Sequence, residues 1–300
     1  RRTMKKYFAY IILAVILVIG GIYYTASDRN KNINTPENKD SGQPVAQSHR
    51  SYDVQVTSDI ANIRPGQLTT IGYKIVNDKN EVVKDFTVAH EKIMHFILVR
   101  KDLQHFQHLH PDFNEQTGEF IVKVTFPADG PYQLYPDFTP TDENPQKLPV
   151  TESFDLNVGD VSKYQSRTTT PDTATSKTVG GLTVDYFFGS TPRVGSQLDY
   201  GLTISDPNSD EQVQLETYLG AMGHSVILKE GSLDFIHTHA LGMEMEGMEG
   251  MTAAEHTGHQ GEPDTVDFST TFSEPGTYKI FTQFQYKSKV YTSEYTISVN

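Results

Sequence analysis

The chain contains one folding unit written twice. Shifting the sequence by 129 residues lays Gly66 on Gly195, Gly72 on Gly201, Ile75 on Ile204, His95 on His224, Phe106 on Phe235, His108 on His237 and His110 on His239, with no gap. Further along the shift becomes 146, laying Phe126 on Phe272, Gly130 on Gly276, Tyr132 on Tyr278, Leu134 on Ile280 and Phe138 on Phe284. The second copy therefore carries 17 extra residues between His239 and Phe272. Such self-similarity means that a single domain type must serve for both halves. The copies are 51–158 and 179–300, and the Ser/Thr-rich stretch 159–178 with its Pro171 reads as the linker between them.

Each copy consists of short runs in which apolar residues recur at every second position. Examples are "LTTIGYKIV" and "EFIVKVTF" in the first and "LTVDYFF" and "SEYTISV" in the second, with Gly, Pro, Asn and Asp between runs. Period-two alternation marks half-buried strands. About seven of them in each copy predict an all-β fold, two tandem immunoglobulin-like β-sandwiches. "FPADGPYQL" and "FSEPGTYKI" look like the turn and late strand of such domains. With no Trp and no Cys the copies are not antibody-type domains.

The absence of Cys also removes disulfides, thiolate nucleophiles and Cys-based metal centres. A net charge of −13 argues against a nucleic-acid partner and is compatible with cations. Before the repeats lie Arg1, Arg2, Lys5 and Lys6 and then an uncharged apolar run over 7–24. Residues 1–25 are read as a membrane anchor, with a cleaved signal peptide as the alternative. Basic residues ahead of the run orient the repeats to the outside of the cytoplasm, the expected location being a bacterial cell membrane crossed once. The polar stretch 26–50 has little to bury and is expected to be a disordered tether.

The chemistry lies in a pattern shared by both copies, His-x12-His-x-His: His95, His108 and His110, then His224, His237 and His239. If 101–104 is a four-residue loop, Arg100 pairs with His105, Ile97 with His108 and His95 with His110. Residues two apart share a face and opposed residues sit side by side, so the three imidazoles converge. A loop at 230–233, pairing Lys229 with Asp234, does the same in the second copy. The shared face also carries Ile97, Val99 and Phe106, or Val226, Leu228 and Phe235, and is expected to be the sandwich core, with the histidines where it runs out. Neutral imidazole is the commonest side-chain metal ligand, and three leave a fourth position open. The plainer reading is a set of polar rim residues bonded to backbone. His90, in "HEKIMH", is read as a surface residue, with an outer ligand of the site as the alternative.

The insertion, at about 241–263, holds Met243, Met245, Met248 and Met251 together with His256 and His259. Met94 and Met222 stand beside His95 and His224. Thioethers select copper(I), and imidazoles suit copper(II) and zinc. These residues join the candidate ligands; the plainer reading of the insertion is a solvated polar loop.

"HEKIMHFILVRKDLQHFQHLHPDF" together with "YLGAMGHSVILKEGSLDFIHTHA" resembles a family of bacterial secreted or membrane-anchored proteins described as YtkA- or FixH-like. A looser likeness is to CopC-like copper carriers. The resemblance implies a β-sandwich and an association with copper through His95, His108, His110, His224, His237 and His239. Pro111 follows the last His of the first copy, but Ala240 follows that of the second, so the two sites need not be equivalent. The expected function is binding of a metal ion, copper favoured over zinc, for sequestration or hand-off, without catalysis; a protein partner is not specified by the sequence. The rivals are a module that binds an envelope protein or polymer without metal, and an enzyme built on a three-His metal site.

Overall fold

The structure is a computed structural model, and it describes residues 52–141, 148–240 and 262–300. The segment 7–24, the tether and the Met/His insertion lie outside the described residues. Among the described residues no helix is long and apolar enough to cross a membrane.

The first copy comprises β1 (Asp53–Val56), β2 (Leu68–Val76), β3 (Met94–Arg100), β4 (Gln104–Leu109), β5 (Asp112–Asn114), β6 (Glu119–Thr125), β7 (Gly130–Phe138), β8 (Val150–Thr151) and β9 (Phe154–Val158). The second comprises β10 (Ser176–Val179), β11 (Leu182–Phe188), β12 (Gln197–Ser205), β13 (His224–Lys229), β14 (Phe235–His239), β15 (Thr265–Thr271), β16 (Gly276–Tyr286) and β17 (Lys289–Val299). One sheet of the first sandwich runs β1-β2-β6-β5, the other β4-β3-β7-β8 with β9 also on β7. Their counterparts are β10-β11-β12-β15 and β14-β13-β16-β17. All the strand pairings are antiparallel. The expected linker 159–178 is therefore partly sheet, since it ends within β10.

The repeat extends to fine detail. Tyr132 donates its hydroxyl to the Ala128 carbonyl (3.1 Å), and Tyr278 does the same to Glu274 (2.8 Å). This local hydrogen bond pins a corner of the immunoglobulin-like type. Gly130 and Gly276 open the matched strands at φ 132° and 148°, a region that side chains rarely adopt, which accounts for the shared glycine.

Each sandwich has its own core. In the first, Tyr73, Phe96, Phe120 and Phe126 pack with Met94 and Leu98. In the second, Tyr200, Phe268, Phe272 and Phe284 pack with Ile227 and Ile280. A third apolar cluster joins the two sandwiches: Ile97, Val99, Leu103 and Tyr135 of the first meet Val226, Leu228, Leu233 and Phe281 of the second. The histidine-bearing face, expected to be a sandwich core, is instead the docking face between copies. This explains "FILV" and "VIL", apolar runs without polar alternation: both faces of β3 and β13 are buried, each against a different partner. The docking is reciprocal. Phe106 stacks on Phe281 (centroids 4.4 Å), and Phe235 stacks on Tyr135 (5.0 Å). Phe106 matches Phe235 and Tyr135 matches Phe281 in the repeat, so the copies face one another like the halves of a twofold dimer.

Candidate metal centre at the junction of the two sandwiches

The hairpins deliver the histidines by a register close to the expected one. Ile97 opposes His108 and Phe96 opposes Leu109. The loop is one residue shorter than expected, with Arg100 opposite Gln104, and a bulge restores the count. His105 has φ 59° there. His110 lies one residue beyond the end of β4. In the second copy Val226 opposes His237 and His224 opposes His239, as expected. His239 is placed here by its backbone alone.

The first triad converges. One ring nitrogen from each of His95, His108 and His110 lies within 4.8 Å of the others. His95 Nδ1 is 3.0 Å from His108 Nε2 and 3.3 Å from His110 Nε2. Two nitrogens on a tetrahedral ion with bonds of 2.0–2.1 Å lie about 3.3 Å apart, so the spacing suits one ion.

The ring tautomers follow from the outer partners. His95 Nε2 donates to the Ala89 carbonyl (3.1 Å), and its repeat equivalent His224 Nε2 donates to Tyr218 (2.8 Å). Tight loops set both carbonyls: Ala89 bridges to Lys92 and Tyr218 to Ala221, through left-handed His90 and Glu91 or Leu219 and Gly220. His108 Nδ1 donates to Gln283 Oε1 (2.8 Å), and Gln283 Nε2 in turn donates to Thr292 Oγ1. With these donors committed outward, His95 Nδ1 and His108 Nε2 face each other as two lone pairs. They stand 3.0 Å apart, and either a proton donated by His110 Nε2, 3.3 Å from His95 Nδ1, or a bound cation can satisfy lone pairs so placed.

His224 and His237 of the second copy join the same cluster. The His237 ring lies 5.7 Å from His95 and 6.1 Å from His108, and the His224 ring lies 6.4 Å from His95. His237 Nδ1 donates to Asp137 Oδ2 (2.8 Å), whose other oxygen accepts from Thr151 (2.9 Å). The half-buried His90 ring stands edge-to-face with His224, centroids 5.4 Å apart, which places it beside the site, as the second of its two sequence readings has it. Asp137, Gln283 and His90 are the contributors that spacing alone does not pick out. The first two occupy one repeat position beside the histidine strand: Asp137 pairs with His95, and Gln283 with His224.

Burial governs the electrostatics. His95, His108 and His224 are 4, 9 and 1 % exposed. Desolvation, with neighbouring imidazoles adding to it, pulls His90 and His95 down to about 4, His110 to about 3 and His224 to about 2. His108 also falls well below its ordinary value, for the same reason. These rings are neutral at pH 7, the form that binds metal. Burial, the largest single effect, would raise the Asp137 carboxyl, but the hydrogen bonds from His237 and Thr151 and the nearby His237 and His95 rings together outweigh it, and Asp137 sits below its usual range.

The methionines divide differently from expectation. Met94, adjacent to His95 in β3, points to the other face and packs into the first core, and Met222, two residues before His224 and ahead of β13, packs partly buried against the second. Met243, Met245, Met248, Met251, His256 and His259 lie outside the described residues.

No curated protein matches the chain. Several solved β-rich structures align weakly. The Escherichia coli adhesin FdeC shares 12 % identity over 83 % of this chain and 64 % of its own, with a TM-score of 0.25. Invasin, a bacterial integrin-binding protein, shares 10 % over 83 % and 39 %, with a TM-score of 0.23. The fibronectin(III)-like modules of Clostridium thermocellum CbhA share 10 % over 82 % and 93 %, with a TM-score of 0.20. A family match covers both copies, at 47–156 and 177–300, and by it the chain belongs to a family described as a domain of unknown function, DUF8832.

Proposed function

We propose that the protein binds a metal ion outside the cytoplasm, copper favoured over zinc, and holds it for sequestration or hand-off. In this reading the apolar segment 7–24 anchors the chain in a bacterial membrane. The observation that carries the proposal is the convergence of His95, His108 and His110 nitrogens within 4.8 Å. Their all-nitrogen donor set suits divalent copper or zinc, and copper(II) lies above zinc(II) in affinity for such ligands. The likeness to copper-associated YtkA- and FixH-like proteins points the same way. Burial of His95 and His108 favours retention of an ion over admission of a substrate. The rival role, display of this face to an envelope protein or polymer, meets a physical obstacle: Ile97, Val99, Val226 and Leu228 are already packed against each other's sandwich.

The test is titration of the purified full chain with copper(II) and zinc(II). An ion retained through gel filtration is expected, with loss of that retention in His108→Ala and His110→Ala. Metal-free protein after loading, or variants that retain the ion as the parent does, would contradict the proposal.

A further inference from the structure

The bonds that orient the cluster are crossed between the copies. His108 of the first sandwich is held by Gln283 of the second, and His237 of the second by Asp137 of the first. His108 and His237 are repeat equivalents, as are Gln283 and Asp137. Each copy therefore fixes an imidazole of the other. A carboxylate or amide on the outer N–H of an imidazole sets its tautomer and strengthens the opposite nitrogen as a ligand. For His237 that nitrogen is Nε2.

His237 stands beside the converging triad, its ring nitrogens outside the group whose ligand atoms all lie within 4.8 Å of one another, so joining the ion calls for a small shift of its ring. Its ring is 5.7 Å from that of His95, while His95 and His108 are themselves 5.2 Å apart. Three imidazoles leave a tetrahedral ion one ligand short. Charge limits the number of ions. Asp137 is a carboxylate, but the equivalent position holds the neutral Gln283. One divalent ion beside one carboxylate leaves a single excess positive charge; two ions would leave three in a site withdrawn from water.

Resting on the metal reading above, we propose that the two copies share one divalent ion, bound by His95, His108 and His110 of the first sandwich and by His237 of the second. The ion then ties the sandwiches together at the end of their apolar junction. Each copy alone is an incomplete site.

The experiment uses the full chain carrying His256→Ala and His259→Ala, which removes the imidazoles of the insertion. Its thioethers are set aside by using divalent ions, because they select copper(I). Copper(II) and zinc(II) are titrated against a competing chelator, and the copper form is read by electron paramagnetic resonance. One equivalent per chain is expected, with nitrogen couplings from four imidazoles. His237→Ala and the bulkier His237→Gln should each weaken binding by roughly 10–100-fold or more and reduce the couplings to three. Near-ultraviolet circular dichroism checks that both variants remain folded. Two equivalents per chain, or His237 variants with parental affinity and spectrum, would overturn the sharing while leaving metal binding intact. Parental binding in His108→Ala would instead remove the metal reading on which the sharing rests.

Discussion

His108 and Gln283, 175 positions apart in the chain, are joined by a 2.8 Å hydrogen bond that crosses from one sandwich to the other. The bond turns the lone pair of His108 Nε2 towards His95. Gln283→Leu leaves a buried N–H without an acceptor, a loss of about 1–3 kcal/mol in stability. It should also weaken copper(II) binding by roughly 10–100-fold, as removal of an outer partner of a ligating imidazole does. Denaturant unfolding and chelator competition measure the two effects. Unchanged metal affinity would show that His108 is not a ligand oriented in this way.

Phe281 stacks on Phe106 and is fully buried in the junction. Phe281→Ala should cost about 3–5 kcal/mol, the range for emptying an aromatic site. Because the lost contact lies between the copies, the variant should also bind metal more weakly, although no histidine is touched. Thermal unfolding with and without zinc(II) checks both points. An unfolding temperature like that of the parent would mean that the docking face contributes little.

Met94 separates core packing from metal capture. Its side chain lies in the first core, so Met94→Leu, a swap of similar volume, should cost less than about 1.5 kcal/mol and leave copper stoichiometry unchanged. Loss of bound copper in this variant, read by metal analysis, would return the thioether to the ligand set.

Glu152 gives the fold a pH dependence away from the histidines. Burial, with repulsion from Asp53 adding to it, raises its carboxyl to about 7 from an ordinary 4.5. The folded state therefore holds this proton more tightly than the unfolded chain does. Its contribution is fully present below 4.5 and is lost as pH rises through 7. Glu152→Gln should raise the unfolding temperature relative to the parent more at pH 8 than at pH 4. Calorimetry at the two values decides, and an equal difference at both would contradict the assignment.

The sandwich fold and the convergence of the first histidine triad are legible in the sequence for the same reason. A repeat with its own internal register, His95 to His108 to His110, exposes strand spacing directly, because side chains alternate with period two. The shortened loop at 101–103 and the bulge at His105 offset one another, so the count reaches Ile97 opposite His108 even though the turn differs. Alternation does not say which partner buries a face. Ile97, Val99 and Val226 are apolar whether they face a core or another domain, so the docking of the copies is hidden in their composition. Asp137 and Gln283 owe their roles wholly to that docking. The run "FILV" is the available sign, since a strand with one solvated face would have broken it with a polar residue.

The most direct test of metal binding by the triad is X-ray absorption at the copper edge on the full chain loaded with one equivalent of copper(II). A first shell of imidazole nitrogens at about 2.0 Å is predicted, lost when His95, His108 and His110 are replaced together by alanine. A sulfur-dominated shell, or an imidazole shell that survives the triple replacement, would contradict an ion held by these three histidines.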